Sequence, residues 1–469
     1  MPAPDADARR HSARLVSRLR AQIRAAGWLG FDEFMHAALY APGLGYYQAG
    51  LPKFGDAATG GDFVTAAGLG DVTARCLARQ CAEVLAGFGD GGDGDDGSDG
   101  GGDGDGGGRD ILEVGGGDGR MAADILRALA RCGELPGRYF LLETSAELRA
   151  RQQRRLAGLP AEARARVRWL DALPEEFSGV MLAVEVLDAM PAQRFEIDAD
   201  GRALALGVAL DEGGDGDRGD GNSHSNCDTG AAAGDGHSHS DCDPGDVPGD
   251  GDGDGDSAGA PTFRWATAAP LPAALQRRIT EALGGELPPG YRGEIGLRAE
   301  AWMRAAGACL RRGALIVVDY GFPRREFYHP QRRDGTLMCH YRHRAHADPF
   351  FHPGLQDISA HVDFTAIADA ARAAGLTVAG FASQGAFLLS LGALDLVAGD
   401  GDGAGDSDGA GDGDGDGDGA GADAFRSARE LARLTLPHEM GELFKVAAFT
   451  RATAVPLSGF ALKNRRAAL

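Results

Sequence analysis

A short glycine-rich segment, ILEVGGGDG at residues 111–119, limits the folds open to this chain more than any other feature. Apolar residues before it predict a strand, and apolar residues at helical spacing after it predict a helix over Arg120–Arg131. Between the two, Gly115, Gly117 and Gly119 allow the backbone to turn sharply and to approach a ligand closely, next to a helix N-terminus that favours anionic groups. The segment therefore predicts an α/β fold with a nucleotide-like ligand at the carboxyl end of a strand.

The chain around this segment alternates between short apolar strands and helices. Predicted strands lie at Asp110–Val114, Tyr139–Glu143, Val167–Leu170, Val180–Leu187, Gln193–Ile197, Ala203–Leu210, Thr262–Ala268, Ala314–Gly321, Leu376–Ala382 and Phe444–Arg451. Predicted helices lie at Val72–Leu85, Arg120–Arg131, Ala146–Leu156, Pro272–Leu283, Glu294–Leu310 and Phe364–Ala374, and two more precede the turn-rich stretch APGLGYY. Strands that alternate with helices imply parallel βαβ units in a sheet covered on both faces, whereas the last two strands are expected to pair antiparallel.

Three Gly/Asp-rich tracts interrupt this pattern, at residues 89–108, 211–260 and 399–423. They carry much of the formal net charge of -22, since the rest of the chain holds 46 Lys+Arg against 39 Asp+Glu. Such runs cannot bury enough apolar surface to offset the entropy of ordering, so we expect disordered insertions. Histidines and cysteines in the middle tract have no apolar flanks that would hold them in a metal-binding geometry, and no metal is expected.

The seven cysteines form no paired framework, which indicates a reducing compartment. No apolar stretch approaches the ~18 residues that cross a bilayer, so no membrane insertion is expected. The Arg- and Ala-rich start contains Asp5 and Asp7 and lacks an apolar core, so a plain helix is favoured over a targeting signal. We expect a cytoplasmic protein, or one of the mitochondrial matrix in a eukaryote.

Acidic residues near the glycine loop narrow the choice of ligand. Glu113 opens the motif, and Glu143 ends the next strand, 24 residues after Gly119, where a carboxylate can accept hydrogen bonds from both ribose hydroxyls. A dinucleotide-binding loop would have its third glycine at the position of Arg120. The spacing therefore favours S-adenosylmethionine as cofactor over a dinucleotide, with Asp171 after the third strand placed to reach the adenine edge.

Two further acids, in the sequence AVEVLDAMP, follow the next strand. Glu185 and Asp188 lie at its carboxyl end, where open α/β sheets bind ligands. Paired carboxylates at this edge can hold a cationic acceptor such as a guanidinium in bidentate contact. The alternative interpretation is a helix cap and a surface charge. We take both acids as candidate catalytic residues that orient the acceptor.

Six blocks of sequence, in order along the chain, closely resemble the MidA-like S-adenosylmethionine-dependent methyltransferases. The blocks are FMHAALYAPGLGYY, GDFVTA, LEVGGGDGRMAADIL, EVLDAMP, VVDYGFPRREFYHPQRRDGTLMCHYRHRAH and GLQDISAHVDF. The resemblance implies a class I methyltransferase (Rossmann-like) fold with a mostly parallel seven-stranded sheet. It also implies an N-terminal helical extension over residues 1–88 and a methyltransferase domain over residues 109–469. Mitochondrial members assist assembly of respiratory complex I by dimethylating an arginine of one subunit, so a protein arginine is the acceptor that the resemblance implies.

Departures from the family pattern leave other functions open. Ala67 and Gly68 stand where relatives usually have Pro-Glu, and Val184 stands where they often have Asn or His. A non-catalytic assembly factor that uses the fold as a binding platform is therefore a second hypothesis.

The basic, histidine-rich run Arg332–His346, inside the aperiodic segment Phe322–Ile358, suggests either a substrate lid or, as a third hypothesis, a site for RNA methylation. We favour a substrate lid there over RNA methylation; nucleic acid is not the expected partner, and homodimer formation stays open.

Overall fold

The computed structural model describes residues 1–49, 70–88, 108–211, 262–281, 287–402, 419–453, 455 and 457–469. Most of the three Gly/Asp tracts, the GDFVTA block and Ala67 and Gly68 lie outside the described residues, as do the histidines and cysteines of the middle tract. The predictions made for those segments therefore stay predictions.

Strands and helices are numbered separately along the chain. The strands are β1 Leu29–Gly30, β2 Asp110–Val114, β3 Tyr139–Leu142, β4 Val167–Leu170, β5 Phe177–Val184, β6 Gln193–Ile197, β7 Ala203–Asp211, β8 Thr262–Pro270, β9 Arg292–Ile295, β10 Leu310–Phe322, β11 Met338–Tyr341, β12 Arg344–His346, β13 Asp357–Ser359, β14 Val362–Asp363, β15 Thr377–Ser383 and β16 Phe444–Arg451. The α-helices are α1 Ala6–Ala26, α2 Phe31–Tyr40, α3 Val72–Ala86, α4 Arg120–Arg131, α5 Ala146–Leu156, α6 Ala161–Arg166, α7 Ala273–Glu281, α8 Leu297–Cys309, α9 Arg324–Phe327, α10 Phe364–Ala373, α11 Gln384–Ser390, α12 Ala393–Asp402, α13 Gly419–Thr435 and α14 Met440–Leu443.

The main sheet confirms the predicted parallel core. Its strands follow the order β15-β16-β10-β5-β2-β3-β4, and the short β14 adds to β10. The pairs from β4 through β10 are all parallel, whereas β16 runs antiparallel to both β10 and β15, as expected for the last two strands. The parallel part has crossover helices on both faces, which is why all five residues of β2 are buried.

One hydrophobic cluster lies on each face of this sheet. Helices α3 and α4 share the first cluster with residues of α11 and α12, and helices α8 and α10 share the second. Leu112 and Ile111 are neighbours in β2 yet belong to opposite clusters, as the two-residue period of a strand requires. The core therefore holds the carboxyl edge of the parallel strands rigidly.

A second, antiparallel sheet joins the N-terminal helices to the main domain. Strands β1, β7, β6 and β9 follow in that order, with β8 paired to β7. Apolar residues of α1 and α2 pack against Val208 of β7 and against Cys339 and Ile358 of the small β12-β11-β13 sheet. The N-terminal helices are thereby fixed beside the segment that follows β10.

Two predicted elements are wrong. Glu294 does not begin a helix; it lies in β9, whose partner is β6, and the helix begins at Leu297. Buried Glu294 forms an ion pair of 3.0 Å with buried Arg194 of β6, a tertiary contact that outweighs the local helical spacing. The segment Phe322–Ile358 is also not an aperiodic loop, because it contains α9 and strands β11, β12 and the start of β13.

Among the described residues, no helix is both long and apolar enough to cross a membrane.

Candidate cofactor and acceptor site

The predicted site residues converge at the carboxyl edge of the main sheet. Val114 of β2 is in register with Leu142 of β3 and with Ala183 of β5. Glu143 directly follows β3, and Glu185 directly follows β5. Because the carboxyl ends of neighbouring parallel strands meet at one edge, both acids leave the sheet next to the glycine loop.

The glycine loop between β2 and α4 needs its glycines. Gly115, Gly117 and Gly119 have φ angles of 65°, 51° and 83°, in the left-handed region that side chains rarely adopt. A Cβ atom on Gly119 would lie 3.1 Å from Cα of Gln152, and one on Gly115 would lie 3.1 Å from Cγ2 of Val186. The loop therefore combines a sharp turn with close packing on both sides, directly before the N-terminus of α4.

Glu113 lies beneath this loop and points into the protein. Its buried carboxylate accepts a hydrogen bond of 2.7 Å from the hydroxyl of Tyr139. Burial raises the pKa of Glu113 to about 7, against the lowering effect of the Tyr139 hydrogen bond. A Cβ atom on Gly116 would lie 3.3 Å from the carboxyl carbon of Glu113. The side chain of Glu113 thus packs against the loop from below.

Glu143 presents a buried carboxylate whose orientation is set by two donors. The backbone N–H of Ser145 donates to Oε1 at 2.8 Å, and the side-chain amide of Gln152 donates to Oε2 at 3.2 Å. Glu143 lies at the end of β3, next to the glycine loop. In nucleotide-binding α/β sheets, an acid at the corresponding strand end contacts the ribose hydroxyls.

Asp171 follows β4 and is far more open to solvent. Its side chain is 88% exposed and pairs with Arg149 at 2.6 Å. The same guanidinium nitrogen donates to the backbone carbonyl oxygens of Glu143 at 3.2 Å and Leu170 at 3.0 Å. Asp171 therefore lies at the rim of the predicted cofactor site, held there by Arg149.

At the carboxyl end of β5, the turn that carries the predicted acceptor residues wraps around the carboxylate of Asp319. Glu185 has a left-handed backbone, with φ 53°, and its N–H donates to Val318 O of β10 at 2.9 Å. The next three backbone N–H groups, of residues 186–188, all point at Oδ2 of Asp319, at distances from 2.8 to 3.4 Å. A strained residue is thus held in place by an acid from the neighbouring strand.

The carboxylates of Asp188 and Asp319 are both buried, in a medium of low dielectric. Asp188 is buried, and its pKa is raised well above the usual range by burial, by Asp319 and by Asp357. Burial also raises the pKa of Asp319 to about 7, and the charge of Glu185 adds to the effect. Such a cluster favours a cation, because a positive charge nearby offsets both the cost of burial and the repulsion that raise the pKa of Asp188 and Asp319.

The N-terminal helices contribute two tyrosines to the same region. The Tyr40 hydroxyl donates to Ala189 O at 2.9 Å, and the Tyr47 hydroxyl donates to Oδ1 of Asp357 at 2.8 Å. The two rings stack, with centroids 5.5 Å apart and an interplanar angle of 21°. Tyr40 and Tyr47 therefore cover the turn that carries Asp188.

The aromatic residues of the basic segment are not displayed for stacking. Phe327 and Tyr328 are buried in a cluster with Phe195, and Tyr341 is also buried. Arg332 places its guanidinium 4.3 Å from the ring centroid of Phe322. These aromatic rings belong to the core and are not available for base stacking, so RNA methylation stays a hypothesis that rests on the basic residues alone.

The described residues fit an adenosyl sulfonium ligand. Gly115, Gly117 and Gly119 keep the turn of the loop free of side chains, Glu143 offers a buried carboxylate at the neighbouring strand end, and the acids near Asp319 can offset a sulfonium charge. Comparison with known proteins agrees with this assignment. Residues 76–382 match the family described as "Putative S-adenosyl-L-methionine-dependent methyltransferase".

A crystal structure of a superfamily member from Burkholderia thailandensis bound to S-adenosyl-homocysteine is 37% identical in sequence, with a TM-score of 0.79 and 100% of each chain covered. The chain belongs to the MidA-like family of S-adenosylmethionine-dependent methyltransferases. A native structure of an uncharacterized member from the same organism is similar to this MidA-like methyltransferase at 36% identity and a TM-score of 0.76, again over 100% of each chain. No curated protein matches the chain. The predicted class I fold and the S-adenosylmethionine cofactor are confirmed.

Several residues of this MidA-like site are missed by the sequence analysis. Asp319 lies near the carboxyl end of the strongest predicted strand, so the signal that identifies Glu143, an acid at the carboxyl end of a buried strand, applies to it as well. Tyr47, Asp357 and Gln152 carry no such signal, because they reach the site from distant segments or from the middle of a helix.

Proposed function

We propose that this MidA-like methyltransferase transfers the methyl group of S-adenosylmethionine to a nitrogen of a protein arginine. The cluster of Glu185, Asp188 and Asp319 beside the glycine loop carries the proposal. A guanidinium is planar and always charged, and it donates paired hydrogen bonds to a carboxylate in a fork geometry. A cluster in which Asp188 and Asp319 are buried and Glu185 is half-buried is therefore better suited to arginine than to a neutral acceptor.

On the cofactor side, each predicted residue has a separate proposed role. Glu143 binds the ribose hydroxyls, Asp171 faces the adenine edge, and Glu113 supports the loop formed by Gly115, Gly117 and Gly119. The bound cofactor supplies a methyl group on a sulfonium, and its transfer to nitrogen is an in-line displacement that depends mainly on proximity and orientation. The buried, hydrogen-bonded state of Glu143 supports its role, since a fixed carboxylate needs no reorganisation on binding.

On the acceptor side, Glu185 and Asp188 would orient the guanidinium, and Asp319 would hold the turn that carries them. Tyr40 and Tyr47 would close the site from the N-terminal helices. The raised pKa values of Asp188 and Asp319 support a cationic acceptor, because a carboxyl group that is costly to ionise alone ionises readily when a cation binds beside it.

The proposed acceptor protein is a subunit of respiratory complex I, and the support is the resemblance to the mitochondrial members. The proposed compartment is the cytoplasm. Five cysteines among the described residues, Cys76, Cys81, Cys132, Cys309 and Cys339, are all free thiols, which is compatible with a reducing compartment.

Two substitutions separate the cofactor side from the acceptor side. We expect Glu143→Ala to weaken S-adenosylmethionine binding in calorimetry by roughly tenfold or more, because a charged hydrogen-bond acceptor is lost. We expect Glu185→Gln to retain cofactor affinity but to lose transfer of labelled methyl to a peptide carrying the subunit arginine. Glu176→Gln, at an exposed ion pair, is the control. Equal affinities of wild type and Glu143→Ala, or full transfer by Glu185→Gln, would contradict the respective role.

The departures at Ala67, Gly68 and Val184 motivate one other candidate, a non-catalytic binding platform in complex I assembly. Mass spectrometry of the homologous complex I subunit, from cells with and without this gene, distinguishes the two. A methyl-arginine that disappears with the gene supports catalysis, and an unmodified arginine in both supports the platform.

A further inference from the structure

Gln152, in the middle of α5, is fully buried between the two parts of the cofactor site. Its side-chain amide nitrogen donates to Gly117 O of the glycine loop at 3.0 Å and to Oε2 of Glu143 at 3.2 Å. One amide group therefore bonds at once to the loop and to the carboxylate proposed to bind ribose.

The orientation of this amide is fixed by a third partner. The indole N–H of Trp169, in β4, donates to Oε1 of Gln152 at 3.0 Å. An indole nitrogen can only donate, so it must face the amide oxygen, and the two amide hydrogens are then directed at the two acceptors. Gly119 allows the approach, because a Cβ atom there would lie 3.1 to 3.3 Å from three atoms of Gln152.

We propose that Gln152 is a positioning residue for the cofactor, which couples the orientation of the Glu143 carboxylate to the conformation of the glycine loop, and that Trp169 sets the orientation of its amide. The inference rests on the proposed role of Glu143 as the ribose ligand. The neutral amide donor fixes the direction of the Glu143 carboxylate, whereas a carboxylate without that donor gains rotational freedom.

Substitutions at position 152 remove these bonds in different combinations. Gln152→Met keeps the length of the side chain and removes all three hydrogen bonds. Gln152→Glu keeps an acceptor for Trp169 but places a second carboxylate against Glu143. Gln153→Met changes the exposed neighbour on the same helix and is the matched control.

Calorimetry with S-adenosylhomocysteine as the probe tests the proposal, with thermal unfolding of each ligand-free variant as a check on folding. We expect roughly tenfold weaker binding for Gln152→Met, a larger loss for Gln152→Glu, and wild-type affinity for Gln153→Met. Since Gln152 acts through Glu143, Gln152→Met should lower the affinity for S-adenosylhomocysteine much less in the Glu143→Ala variant than in the wild type. Trp169→Phe, which keeps an aromatic ring in β4, should show a smaller loss than Gln152→Met.

The outcomes are distinguishable. Weak binding by Glu143→Ala together with wild-type binding by Gln152→Met would overturn the positioning role alone. An equal loss from Gln152→Met with and without Glu143→Ala would also overturn it, since the effect would then be independent of the carboxylate. Wild-type affinity of Glu143→Ala would remove the ribose assignment and, with it, this inference. If Gln152→Met fails to fold, Trp169→Phe and the Gln152→Glu variant provide the same comparison.

Discussion

The carboxylate of Asp319 accepts a hydrogen bond of 2.8 Å from the backbone N–H of Leu187. Asp319 lies near the end of β10, and Leu187 lies in the turn after β5, so the bond links the two strands that lie next to Glu185 and Asp188. The same oxygen also accepts hydrogen bonds from the backbone N–H groups of residues 186 and 188. One buried carboxylate therefore fixes the turn that carries both predicted catalytic acids.

Asp319→Ala should destabilise the protein by about 3 kcal/mol, because buried backbone N–H groups lose their acceptor. Asp319→Asn keeps an acceptor oxygen and should lose less than half of that, while transfer activity falls because the charge is gone. Urea unfolding measures the first effect, and methyl transfer measures the second. Equal stability of Asp319→Ala and wild type would show that the turn does not depend on this side chain.

Glu113→Gln should change how stability depends on pH. An acid whose folded-state pKa is raised from 4.5 to about 7 favours the folded state while protonated; this contribution is full below about pH 4.5 and is lost as the pH rises through 7. Glutamine cannot ionise, so the variant should lose less stability between about pH 5 and 8, by on the order of 2 kcal/mol. Denaturant unfolding at both pH values checks this, with Glu134→Gln, a surface residue paired with Arg109, as control. Parallel curves for wild type and Glu113→Gln would refute it.

Arg194→Met should cost about 3 kcal/mol, because it leaves the buried carboxylate of Glu294 without its charged partner. The Arg194 guanidinium also lies 4.9 Å from the ring centroid of Trp265, a contact that the variant loses. Arg311→Met removes an exposed ion pair with Glu176 and should change stability by less than about 0.5 kcal/mol. Urea unfolding of both variants makes the comparison; similar losses would mean that burial of the pair is unimportant.

Replacing residues 212–261 with Asn-Gly should leave folding and S-adenosylhomocysteine affinity intact. Asp211 of β7 and Thr262 of β8 are antiparallel register partners, so the chain enters and leaves this segment at adjacent positions. A two-residue turn can close such a hairpin. Thermal unfolding and calorimetry on the shortened chain test this. Loss of cofactor binding would instead assign a structural role to the removed segment.

The local spacing of apolar residues predicted most strands and helices of the core. Strands Asp110–Val114, Val167–Leu170 and Phe444–Arg451 and helices Arg120–Arg131 and Ala146–Leu156 have the predicted bounds, because their apolar periodicity agrees with their packing. The prediction failed at Glu294, where helical spacing was overridden by β-pairing and by the buried contact with Arg194. It also failed between Phe322 and Ile358, where short strands of three or four residues give too little periodicity to detect.

The glycine loop, Glu143 and Glu185 were predicted as site residues from the sequence alone, since each belongs to a strand and the turn that follows it. The other side of the site has no local signature. Tyr47 and Asp357 lie 310 positions apart, and Leu187 and Asp319 lie 132 apart. The sequence by itself determined the βαβ core, the cofactor edge and the family. Only the tertiary structure decided which acids are buried together and which tyrosines cover them, because burial and pairing depend on contacts between segments that no local pattern relates.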